Sequence, residues 1–331
     1  MIKSLKRLLP ALIIALLVLV PALPAFAQAS SHAICSGLSD ADCQTLVTAQ
    51  ANASKITSFS ASAWSIDLKA KDATSNVAFS ASGSGEFVLP TGSNSAGLLI
   101  HLMISNLSES YGTTNISIKD TEVIVTDKMA FVKYNGDWYG QELTQQDLSS
   151  MGLGSLSSLG SLGGASGAGG MSAVSGIDLT GAVTTTRGAD VSAGGQNMQV
   201  FTTSFDLGKL IGAVLSSPAI APLMGQATGS SGSQMTPAQL QMMGAMIAPM
   251  LGTTSITCEE WVGSDANLHE IKVDVVLDID PSLFSPTTGK ITGEFHFSTD
   301  LSGLNQSYSV TPPTSYKPMS DLNAAMQTPN G

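Results

Sequence analysis

Apolar and polar residues alternate along most of this chain. In "FSASAWSIDLKA" (59–70), Trp64, Ile66 and Leu68 share one face while Asp67 and Lys69 share the other, the period of two that marks a half-buried strand. The pattern returns in "VAFSASGSGEFVLP" (77–90), where Val77, Phe79, Ala81, Phe87 and Leu89 oppose Ser80, Ser82, Ser84 and Glu86. "LLIHLMIS" (98–105) and "ISIKDTEVIVTD" (116–127) predict two more strands. "MAFVKYNGDWYGQEL" (129–143) predicts a hairpin, because Asn135-Gly136 supplies two residues that accept positive φ. Ahead of these strands, Leu46, Val47, Ala49, Ala53 and Ile56 predict a short amphipathic helix between Asp42 and Ser58.

The alternation stops at "SSMGLGSLSSLGSLGGASGAGG" (149–170), where leucines recur every third residue among Gly and Ser. Period three drifts around a helix and each glycine costs about 1 kcal/mol against alanine, so a linker or a mobile flap is expected here. Strands resume in "GAVTTTRGADV" and "QNMQVFTTSFDL", then yield to two helical stretches, 207–224 and 236–251. The second opens on Thr236 as N-cap, Pro237 at the first helical position and Gln239 completing a capping box, and Pro249 ends or kinks it. "LHEIKVDVVLDID" (268–280) puts Ile271, Val273, Val275, Leu277 and Ile279 on one face, "ITGEFHFSTD" follows with Phe295 and Phe297 inward, and "YSVTPPTSYKPMSDL" closes the strands. One set of inward faces on both sides of a helical insertion predicts an α+β domain: a large, curved antiparallel sheet, an unclosed β-barrel, with helices packed on the concave side as a lid. The expected organisation is a leader over 1–27, a single domain over 28–320 with a Gly/Ser-rich insertion at 149–172 and a helical lid at 207–251, and a disordered tail over 321–331.

Composition adds the compartment. The N-terminus has Lys3, Lys6 and Arg7, an apolar run from Leu8 to Val20 and the small-residue site Ala25-Phe26-Ala27, the parts of a secretory signal peptide. Cleavage after Ala27 moves the formal charge from −11 to −14, which disfavours nucleic acid and anionic lipid surfaces. The expected product is an exported, soluble monomer in the periplasm, the cell envelope or the medium. Three cysteines in an exported chain predict one bridge, Cys35 to Cys43 in "CSGLSDADC", and one buried thiol, Cys258 in "SITCEEW". Glu259 and Glu260 beside Cys258 argue against a reactive thiolate.

Candidate chemistry is sparse. His32, His101, His269 and His296 show no ligand spacing, although His269 and His296 could meet across neighbouring strands. Nucleophile-elbow, Walker and dinucleotide motifs are absent. Asp278 and Asp280 share one strand face with Asp274, the pattern of a solvated face rather than of paired catalytic carboxylates. No catalytic residue, metal or cofactor is therefore expected.

The distinctive feature is "QMMGAMIAPM" (241–250): six of the fourteen methionines fall between Met224 and Met250. The run is too short to span a bilayer. Met242, Met246 and Met250 at i, i+4, i+8 would suit cuprous ion, but no histidine or cysteine accompanies them. Ordinary core packing is the plain alternative. Unbranched, polarizable side chains between glycine-rich stretches also suit a face that repacks around variable apolar cargo.

The order of elements resembles the lipoprotein-carrier superfamily, LolA/LolB and more closely the LppX/LprG-type lipid carriers. The resemblance begins at "KITSFSASAWSIDLKA", continues through "GSGEFVLP" and includes "EVIVTDKMAFVKYNGDWYGQEL". After the insertion, "QVFTTSFDLGKLIGAVL" resembles the strand and helix that feed the lid, "CEEWVGSDANLHEIKVDVVLD" a strand pair, and "YSVTPPTSY" the final strand. It implies noncovalent carriage of a lipid or acyl chain, with possible envelope-membrane or lipoprotein partners. The implied pocket is lined by Trp64, Ile66, Leu68, Phe79, Phe87 and Phe131 and covered by Leu210, Val214, Met224, Met242, Met243, Met246 and Met250. The other reading is an envelope or surface interaction module that shares this fold but has a filled core.

Overall fold

The computed structural model describes residues 34–72, 76–90, 97–112, 114–144, 147, 181–216, 239, 242, 248–251, 253–280 and 289–326. Its centre is one 13-stranded, curved and unclosed sheet. β1 (Ser58–Lys71), β2 (Asn76–Val88), β3 (Leu99–Tyr111), β4 (Thr114–Thr126), β5 (Met129–Tyr134) and β6 (Asp137–Glu142) form a consecutive antiparallel meander. On its other side β1 pairs with β12 (Ile291–Ser302), which continues through β11 (Leu268–Ile279), β10 (Ser255–Val262), β9 (Gln196–Phe205) and β7 (Val183–Arg187). The short β8 (Val191–Ala193) pairs with β9, and β13 (Lys317–Pro318) adds a parallel edge to β6. The β5–β6 turn is Asn135-Gly136 with φ of 50° and 86°, the conformation that made the pair a hairpin signal.

Curvature has a local cause. Register shifts fall between Ala61 and Trp64 on β1 and between Ser82 and Gly83 on β2, opposite Ser105 of β3. Such bulges bend a strand and increase its twist. Gly83 is required at this point, since a Cβ there would lie 2.0 Å from the Met103 carbonyl oxygen.

One face of the sheet, here the inner face, carries the core, and the segments before β1 and after β12 supply helices to it. α1 (Asp40–Ala53) starts on Ser39, whose Oγ accepts from Asp42 N at 3.2 Å, and it buries Leu46 and Ala49. The Cys35–Cys43 disulfide forms as expected and staples the turn before it. α2 (Leu207–Ser216) follows β9, opened by Asp206, whose Oδ1 accepts from Lys209 N. α3 (Met319–Ala325) buries Leu322 in the core. The disordered tail expected from residue 321 is thus replaced by a helix through Ala325, because Met319, Leu322 and Met326 recur at helical spacing and find the core.

Two further expectations are corrected. "YSVTPPTSY" forms no strand; only Lys317–Pro318 pair with β6, since Pro312 and Pro313 have no N–H for a ladder. His269 and His296 do not meet: His269 pairs with Asp265 at 2.9 Å and His296 with Asp274 at 2.5 Å. No helix among the described residues is long and apolar enough to cross a membrane.

Candidate ligand-binding face

Register places the inward residues in rows that run across the sheet. One row reads Ala81, Ile66, Phe297, Val273, Cys258, Thr203 and Thr185 from β2 to β7. Its apolar members are buried, and its two threonines satisfy each other with a 3.0 Å hydrogen bond. The next row toward the end of β1 reads Phe79, Leu68, Phe295, Val275, Ile256, Phe205 and Val183. Every side chain in it is apolar, and the central five are only half-buried. Seven strands therefore present a continuous apolar strip with a partly open middle.

On β3 the strip meets Glu109, the register partner of Phe79. Burial pushes the Glu109 carboxyl up, and its Oε2 is buried without a hydrogen-bond partner. Trp64 lies one row beyond Ile66 on the same face; its indole is 1% exposed, and Nε1 is also without a partner. Phe87 stacks on Phe59 with ring centroids 4.6 Å apart.

The outer face of the same strands is polar. Ser65 and Ser298 share a 2.8 Å hydrogen bond, and Lys272 sits between Glu259 and Glu270 and 4.2 Å from the Trp261 ring centroid. Asp278 is held below the usual carboxylate range by its ion pair with Lys290 and the hydrogen bond from Thr253. A groove of about 330 Å³ lies there, with Lys69, Lys71, Asn76, Asp278 and Glu294 around an apolar floor of Val276 and Leu277.

The residues expected to line a pocket divide into three groups. Trp64, Ile66, Phe79 and Phe87 are on the inner face and buried, while Leu68 belongs to the half-open strip. Phe131 is on the outer face. Val132 pairs with Val123 and Tyr139 on the core side, so Phe131 points the other way, where the Tyr316 ring meets it edge-on at 5.2 Å. Of the expected cover, Leu210 is half-buried on α2, and Met250 is half-buried in a 3-10 turn over Ala248–Leu251. The Met250 carbonyl accepts from Asp280 N at 2.8 Å, placing this turn at the end of β11. Met242 is 61% exposed. Met224, Met243, Met246 and the side chain of Val214 lie outside the described residues, as does the insertion at 149–172.

Sequence reasoning missed Phe295, Val275, Ile256 and Phe205 as one row with Leu68. The strand pattern assigned most of these residues inward, but the row depends on pairing between strands far apart in sequence. Cys258 is the buried free thiol expected, its pKa raised well above the ordinary value by burial and then by Glu260.

No known protein family matches the chain, and no curated protein matches it in sequence. Similar solved structures include the Mycobacterium tuberculosis lipoprotein LppX, 11% identical with a TM-score of 0.32, covering 82% of this chain and 100% of that one. LprF from Mycobacterium bovis is 13% identical with a TM-score of 0.32, covering 82% and 96% of the two chains. Lipovitellin, in a structure concerned with lipid–protein interactions, is 9% identical with a TM-score of 0.31, covering 79% of this chain and 27% of that one.

Proposed function

We propose that this protein is an exported, non-enzymatic carrier or binding protein for a lipid or acyl chain. The carrying observation is the half-open apolar strip of Leu68, Phe295, Val275, Ile256 and Phe205. Such a strip, apolar across all seven strands, can shield an extended hydrocarbon, at about 0.8 kcal/mol per methylene removed from water. Its position, between the start of α2 and the turn containing Met250, supports a cover formed by the 207–251 region. Ligand residues are then Leu68 with Leu210 and Met250 at the strip, and Trp64, Ile66, Phe79 and Phe87 as the packed wall behind it. The other methionines expected over the cargo, Met224, Met242, Met243 and Met246, belong to this proposal as the cover's adaptable surface.

The filled-core interaction module is favoured by a different observation: Trp64, Ile66 and Phe87 are buried by the protein's own atoms. A fluorescent fatty-acid probe separates the two readings. Carriage predicts saturable binding that weakens at least about tenfold in Leu68→Asp and Val275→Asp, since a carboxylate in the strip loses its hydration, while outer-face Lys69→Ala binds normally. Absence of saturable binding to the wild type would favour the module.

A further inference from the structure

Glu260 occupies an inward position of β10, between Phe201 of β9 and Ile271 of β11, and it is buried. Its hydrogen-bond partner is the side-chain amide of Gln50, on the buried side of α1, whose Nε2 donates to the two carboxyl oxygens at 3.0 and 3.3 Å. The other half of that amide, Gln50 Oε1, is buried with no partner. An ionised carboxylate can only accept, so it leaves Oε1 orphaned; a carboxylic acid can donate to Oε1 while Nε2 donates to the acid's other oxygen. Both buried groups are satisfied only when Glu260 carries a proton.

We propose that Glu260 and Gln50 form a proton-dependent latch that docks α1 on the sheet, closed with the neutral acid and loosened when Glu260 ionises. This goes beyond lipid carriage and does not depend on it. Burial raises the Glu260 carboxyl to about 7, with the Gln50 hydrogen bond working in the opposite direction. Among the described residues no cation compensates it. On β10 the neighbour on the same face is Cys258, a neutral buried thiol, and Glu259 faces the other way with Lys272. From β9 comes Phe201 and from β11 Ile271. Beyond Phe201, Arg187 of β7 stacks on that ring at 5.3 Å, its charge taken by Asp42 and Asp190. From α1 come Leu46, Ala49 and Gln50, all without charge.

The N-terminal end of α1 has tethers independent of the latch: the Cys35–Cys43 disulfide, the Asp42–Arg187 pair at 3.6 Å and the bond from Thr185 N to Ser36 O. At the far end Asn52 Nδ2 donates to Ala266 O at 2.9 Å. Ionisation therefore loosens α1 between these tethers, around Gln50, while its start stays fixed. Because the docked state holds the proton more tightly, the latch is fully closed below the ordinary glutamate value of 4.5 and is lost as pH rises through about 7.

Hydrogen exchange on the full chain at pH 5.5 and 8, corrected for the intrinsic pH dependence of exchange, tests this. Amides of residues 46–53 should lose about tenfold or more of their protection at pH 8 relative to those of β3 and β4, as expected one pH unit above the titration midpoint. Glu260→Gln, which keeps the shape and a donor for Gln50 Oε1, should show no such loss. Unchanged α1 protection in the wild type, or an equal loss in Glu260→Gln, overturns the latch. If that variant does not fold, the carboxyl carbon resonance of Glu260 in labelled wild type decides: a midpoint near 7 supports the latch and one near 4.5 overturns it.

Discussion

Gly83 shows how one residue can set the shape of the sheet. It lies at the register shift between β2 and β3, and an added Cβ would stand 2.0 Å from backbone that cannot swing aside. Gly83→Ala should therefore destabilise the fold by about 1–3 kcal/mol or more, as overpacking does, read as a lower midpoint in denaturant. An unchanged midpoint would mean that the bend is set elsewhere. Residue-level legibility was uneven for physical reasons. The inward place of Glu260 went unread, although Ile256, Cys258, Glu260 and Val262 alternate and put a carboxyl among apolar neighbours. Its partner Gln50 left no such pattern, being 210 residues away. Phe131 was placed on the wrong face because Ala130, Phe131 and Val132 are all apolar and alternation gives no sign; pairing with β4 decides. The three consecutive buried residues Val123, Ile124 and Val125 were the available clue, since such a run implies cover on both faces.

At the scale of elements, the segment after β12 acts on both sides of the meander's edge. Asn305 accepts from Thr57 N, Tyr316 meets Phe131 on the outer face, Lys317 pairs with Asp137, and α3 turns Leu322 into the inner core. Leu322→Ala should cost about 2–5 kcal/mol, the range for emptying a buried leucine site, and should lower the thermal midpoint accordingly. A change within about 0.5 kcal/mol, the scale of surface substitutions, would show that α3 contributes nothing to the core. The strands were legible because half-buried antiparallel strands write a period of two into the sequence, and the β5–β6 turn because Asn135-Gly136 has few other uses. α3 was not, since seven residues with only two large apolar side chains, Met319 and Leu322, fall below what helical periodicity can distinguish from a polar tail.

For the whole molecule, the problem of an open sheet is its two edges, which expose unpaired backbone groups. Here the segments before β1 and after β12 address both. The turn stapled by Cys35–Cys43 presents Ser36 O to Thr185 N of β7, and Lys317–Pro318 lie along β6. An unclosed sheet can thereby keep an inner face that is packed around Trp64 and Phe87 yet half-open along Leu68, Phe295, Val275, Ile256 and Phe205. The central claim, that this strip holds hydrocarbon, is tested most directly by solvent extraction and mass spectrometry of the full chain purified without detergent from an exporting host. Carriage predicts acyl lipid near one molecule per chain, falling several-fold in Leu68→Asp under identical purification. A folded wild-type protein that yields no lipid above that variant, and takes up none on incubation with lipid vesicles, would contradict it.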